Sequence, residues 1–125
     1  MSAYAAATDR YKGAVIHTAT PVDLFILLCQ RAARDIDEAL AAAQRGDARA
    51  GSRALGHARA IVMELMSGLD RERGGAVAES LAALYVFAAN HLLPPLEPGS
   101  VGAVREVLCA LTEAYCAIRS GGAAR

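Results

Sequence analysis

Residues 69–76 read LDRERGGA, a leucine, four charges and a glycine pair set between two long apolar stretches. A glycine pair in that position has three ordinary uses: cradling a phosphate, opening a flexible lid, or reversing the chain. A phosphate cradle follows a strand and has the form GxxxxGK[ST] or GxGxxG. Here the pair follows a helical pattern and a run of charges, and neither form is present. Helix termination and chain reversal is therefore the favoured reading.

Working outward, the flanks carry helix signals. Upstream, Asp47 can cap a helix that continues towards Asp70 or Glu72, with Leu55, Ala58, Val62, Leu65 and Leu69 at alternating spacings of three and four. Downstream, Ala76 to about Leu93 forms a second helix with Val77, Leu81, Leu84 and Ala88 on its seam. Before both, Thr20 can cap, Pro21 suits a first helical position and Asp23 complements the dipole of a helix ending at Gly46. Its seam is Val22, Ile26, Cys29, Ala33, Ile36, Leu40 and Ala43. After Pro94, Pro95 and Pro98, Ser100 can cap a fourth helix ending near Ser120, with Val101, Val104, Leu108, Leu111, Tyr115 and Ile118 in register. The expectation is an all-α protein, an antiparallel four-helix bundle over 20–120, with a short N-terminal arm over 1–19 and a flexible tail over 121–125.

Composition agrees with this. The chain has 125 residues, enough for one core, and 54% of them are hydrophobic, with alanine and leucine prominent. Lys plus Arg and Asp plus Glu each number 13, so charge gives no case for nucleic acid. The run DLFILLC is far short of the ~20 residues a membrane span needs. The start of the chain carries charges where a secretion signal would be apolar. Three cysteines, Cys29, Cys109 and Cys116, make no framework spacing, which points to a reducing, cytoplasmic setting.

Chemistry finds little to stand on. No Glu-x-x-His occurs and no carboxylate falls on a seam, so no metal site is expected. His17, His57 and His91 lie on separate elements, and Cys29 reads as a small buried hydrophobe. Cys109 and Cys116 lie two turns apart on one helix, about 10 Å, too far for a disulfide. Arg49, Arg53 and Arg59 on helix two read as a solvated face. No catalytic residue, metal or cofactor is assigned.

Two regions are more apolar than a bundle core requires. The first seam leaves Leu24, Leu27 and Leu28 facing outward, and SLAALYVFAAN (80–90), which lacks any charge, leaves Ala83, Val86 and Phe87 outward. Such faces are covered by a partner, by a second copy, or by the arm with Tyr4, Tyr11, Val15 and Ile16. Permanent cover by loops and arm is the plain structural alternative.

The succession TATPVDL (18–24), the Gly46-Asp47 break and ELMSGLDRERGGAVAESLAALYVF (64–87) resembles the FliS family of flagellin export chaperones. That family shows a T-A-S/T-P opening and the pattern L-D-x-E-x-G-G-x-I/V-A-x-N-L-x-x-L-Y-x-F, nearly complete here from Leu69 to Phe87, with Ser80 in place of the usual Asn. The resemblance spans approximately Tyr11 to Tyr115. It implies a four-helix bundle whose N-terminal segment can lie over part of the binding surface. It also implies a cytoplasmic chaperone that binds the C-terminal region of flagellin, prevents early polymerisation and aids export. The export gate protein FlhA and the anti-sigma factor FlgM are further partners it implies. On that basis Leu24, Leu27, Leu28, Ala83, Val86 and Phe87 are the expected flagellin contacts, with Tyr11 and Ile16 as movable cover. The free chain is expected to be a monomer or weak homodimer. The rival reading is a bundle that uses the same faces to associate with itself, without a flagellin client.

Overall fold

The computed structural model describes residues 20–123. Four helices follow one another: α1 (Pro21–Gln44), α2 (Ala48–Ser67), α3 (Arg71–His91) and α4 (Pro98–Ala123). α1 packs on α2 and α4, and α3 packs on the same two, so α1 and α3 lie on a diagonal of the bundle.

Each boundary has a local cause. Thr20 and Asp23 form a capping box, each side chain accepting from the other's backbone N–H at 3.1 Å. At the far end Gly46 takes φ +75, a left-handed turn closed by N–H groups of Gly46 and Asp47 on the carbonyls of Ala43 and Ala42. Asp47 then serves the next helix, its carboxylate accepting from the Ala50 N–H at 3.1 Å. α4 starts at Pro98, with the Val101 N–H on the Glu97 carbonyl at 2.9 Å, two residues before the expected Ser100 cap. A proline's fixed φ and missing donor suit a first helical position better than they suit a linker.

The segment LDRERGGA departs from expectation. α2 ends at Ser67, ahead of the glycine pair, and the passage into the long run of α3 has two breaks, one over Gly68, Leu69 and Asp70 and one at Gly75. Asp70 caps α3, its carboxylate accepting from the Arg73 N–H at 3.1 Å, so RERG forms the first turn of α3. Gly75, at φ 54 and ψ −129, then interrupts the helix before it resumes. Only glycine adopts that conformation readily. Gly74 is constrained by space instead, because a Cβ there would stand 2.5 Å from that of Ala78.

The core is apolar throughout, with Leu28, Cys29, Ile36, Leu55, Val62, Leu92, Val101, Val104 and Leu108 at 2% exposure or less. Burial pushes the Cys29 thiol up to about 12, so it packs as a hydrophobe. The α2 seam lies as expected from Leu55 to Leu65, with Leu69 in the turn beyond the helix, and so does the first half of the α4 seam. Three expectations are corrected. On α1 the expected Ile26, Cys29, Ala33 and Ile36 are buried, but the arc is wider, taking in Phe25, Leu28 and Ala32, while Ala43 is exposed. On α3 the buried residues are Ala78, Ala82, Tyr85, Ala88 and Ala89, and Val77 is 66% exposed. On α4 burial fades with length, leaving Ile118 exposed.

Ion pairs fix the hand-off between α1 and α4. Arg105 binds both carboxylate oxygens of Asp37, and Arg119 Nη1 lies 2.7 Å from Asp23 Oδ1. An early residue of each helix thus meets a late residue of the other, as antiparallel packing requires. Donation by Arg119, then by the Thr20 backbone and hydroxyl, holds the Asp23 carboxyl below its ordinary pKa. Both pairs are exposed and act more on register than on stability.

Candidate functional site

α3 presents the apolar surface. Turned by about one residue from the expected seam, it directs Ala78, Ala82 and Ala89 inward and leaves Ala83 and Val86 in solvent, Val86 at 45%. Phe87 is half-buried, packed partly on the core and stacked on His91 with ring centroids 4.4 Å apart. His91 Nδ1 donates to the Phe87 carbonyl at 2.8 Å, which fixes the ring over the end of the helix. Arg59 of α2 donates from Nε to the Ala89 carbonyl at 3.1 Å, so this arginine ties two helices together rather than standing free in solvent. It satisfies one of the carbonyls that a helix end leaves without a partner.

The six expected contacts are therefore not equivalent. Ala83, Val86 and Phe87 share one outward sector of α3. On α1, Leu27 is half-buried, while Leu24 is 4% and Leu28 2% exposed. Leu28 belongs to the core cluster, so the outward orientation expected of it is incorrect, whereas Leu24 is buried without belonging to that cluster. From Leu24 to Cys29 α1 carries no polar side chain, and over that stretch the seam can be placed one residue out of phase. The diagonal arrangement also means that Leu27 and the α3 sector face different sides of the bundle. Tyr11 and Ile16 lie outside the described residues.

The geometry adds residues that periodicity did not single out. Leu93, just past α3, is 47% exposed and Met63 of α2 is 42% exposed. At the α2–α3 turn a cleft of about 200 Å³ is lined by Phe25, Leu65, Leu69, Leu81, Tyr85 and Tyr115, with Asp70 at its edge. Phe25 and Tyr115 stack there with centroids 4.2 Å apart. Tyr85 is the one bulky member of the otherwise alanine-lined buried face of α3.

The site offers apolar area and few reactive groups. Among the described residues no cluster of His, Cys, Asp or Glu could hold a metal ion, and no helix is long and apolar enough to cross a membrane. No curated protein sequence matches the chain significantly. The family model for flagellar protein FliS matches residues 3–120, nearly the whole chain and all four helices of the bundle, and the chain belongs to that family.

Proposed function

We propose that this chain is a cytoplasmic chaperone for flagellin, receiving the client's C-terminal region as amphipathic helices on the outer face of α3. Family membership implies a flagellar chaperone role. The observation that supports this particular surface is the inversion of α3: its alanines fill the core while Ala83, Val86 and part of Phe87 are left for a partner. Leu27 on α1 offers a second, smaller contact on another side, so the client wraps around the bundle. Leu24 and Leu28 support that contact from below rather than touching the client.

Flagellin's polymerising ends are disordered as monomers, and ordering them costs conformational entropy. At ~25 cal/mol per Å2, burying ~1000 Å2 of apolar surface gives ~25 kcal/mol gross, most of it consumed by ordering and association. The net affinity is then strong yet reversible, which suits a client that is held from polymerising and later released for export. Tyr11 and Ile16 act in this reading as a cover displaced by the client, and FlhA and FlgM are further partners.

Calorimetric titration with the C-terminal segment of flagellin tests the proposal. One-to-one binding with a strongly negative heat-capacity change is expected, and Ala83→Asp with Val86→Asp removes it without loss of helicity, since both positions are exposed. Binding that survives the double variant places the client elsewhere. A folded chain that ignores flagellin but sediments as a dimer at high concentration supports self-association instead.

A further inference from the structure

α3 is held more firmly at one end than at the other. Its C-terminal half buries Tyr85, Ala88 and Ala89, with Leu92 just beyond, all at 4% exposure or less. There the Arg59 guanidinium bonds to the Ala89 carbonyl, and His91 closes on Phe87. The part that resumes after the break at Gly75, residues 76–84, buries only Ala78 and Ala82. Its polar side chains, Glu79 and Ser80, make no hydrogen bond or ion pair to another helix among the described residues.

Two further features weaken the same stretch. α1, α2 and the RERG turn each begin at a side chain that caps, Thr20, Asp47 and Asp70. The helix that resumes after Gly75 begins at a residue with no side chain to do so. Beside it lies the cleft of about 200 Å³ framed by Phe25, Leu65, Tyr85 and Tyr115, and within residues 76–84 only Leu81 reaches its wall. The contacts that a filled core would supply are missing on that side.

We infer that residues 76–84 form a lid, a segment that unwinds from Gly75 towards Leu84 and uncovers the cleft while the rest of the bundle stays folded. Two buried methyl groups and the partial burial of Leu81 and Leu84 set little against the conformational entropy of ordering the segment. The pinned half, with Tyr85, Leu92 and the Arg59 bond, stays in place. Control of the lid by a client rests on the flagellin reading. The outward sector crosses the boundary between the halves, with Ala83 on the lid and Val86 and Phe87 on the pinned part. A client helix lying along that sector splints one to the other and so favours the closed lid.

Residue-resolved hydrogen exchange on the full chain tests both parts. In the free protein the amides of Ser80 to Leu84 are expected to exchange about tenfold or more faster, after correction for sequence, than those of Ser52 to Gly56, which stand equally far from the start of α2. They should also outpace Ala89 to His91, and their exchange should depend little on denaturant, because a local opening exposes little surface. Equal rates in the two matched stretches, or a denaturant dependence equal to that of global unfolding, overturn the lid. Saturation with the C-terminal segment of flagellin should slow Ser80 to Leu84 by about tenfold or more. Binding without that slowing overturns the splint and leaves the client reading standing. No binding overturns the client reading and the splint with it, while the comparison in the free protein still decides the lid.

Discussion

α2 and α3 are neighbours of nearly equal length, 20 and 21 residues, and they solve the same packing problem in opposite ways. α2 buries Leu55, Ile61, Val62 and Leu65 and gives Arg49, Arg53 and His57 to water. α3 buries four alanines with Tyr85 and gives Val77 and Val86 to water. In α2, polarity and side-chain volume both select the inward face. In α3 polarity is silent from Ser80 to Asn90, and volume decides by itself. The large residues Phe25, Leu28 and Ile36 of α1 already occupy the centre, so the helix on the diagonal contributes small side chains. The surplus bulk of α3 goes outward, onto the face proposed above for the client.

The widest gap between the two helices is expected from matched truncations. Leu55→Ala, at 1% exposure on α2, should cost about 2–5 kcal/mol in chemical denaturation, because the cavity cannot fully collapse. Val86→Ala on α3 should change stability by no more than about 0.5 kcal/mol. Equal losses would break the comparison, since α3 would then be holding Val86 in a core. The same Val86→Ala variant should bind flagellin more weakly, which separates a contact residue from a structural one.

How much of this was legible follows the same division. The α2 seam could be placed from Leu55, Ala58, Val62 and Leu65 because charged residues mark its other side. The outward sector of α3 was also found, since Ala83, Val86 and Phe87 lie opposite any reasonable seam. The phase of that seam was not found, because a search for bulky inward residues passes over Ala78, Ala82 and Ala89 in favour of Val77, Leu81 and Leu84. Leu28 was misplaced for a related reason: from Leu24 to Cys29 α1 has no polar residue to show which side is out. At the turn, the glycine pair marked one of two boundaries, the break at Gly75, while the other, the cap at Asp70, was not singled out. The cleft around Tyr85 and Tyr115 draws on four elements and has no local signature.

Enlarging an α3 alanine sharpens the contrast from the other side. Ala82 is 5% exposed, and Ala82→Leu should cost about 1–3 kcal/mol through overpacking, although leucine is apolar and a good helix former. Ala83→Leu, one residue on and exposed, should be nearly neutral by the same thermal melt. If the two behave alike, volume is not what orients α3.

Gly75→Ala addresses why α3 begins with an interruption. At φ 54 and ψ −129 an alanine is strained, and a loss of about 1–3 kcal/mol is expected. A stabilised variant would mean that the helix runs straight through the RERG turn, and α3 would then start in the same manner as α2.

The smallest effect is expected where the two helices are tied together. Arg59 spans from α2 to the Ala89 carbonyl, a 3.1 Å bond at the end of α3. Arg59→Met keeps much of the aliphatic stem and removes the donor, so global stability should fall by about 0.5–1.5 kcal/mol. The informative readout is local. Hydrogen exchange should accelerate at the last turn of α3, near Ala89 to His91, while the buried turns of α2 around Val62 keep their protection. α2 owes its order to large buried side chains and does not need the bond. α3, seated on alanines and stacked at its end only by Phe87 on His91, is held at that end partly by a neighbour's guanidinium. Uniform acceleration across both helices would mean that they open as one unit, and the difference in packing would have no dynamic counterpart.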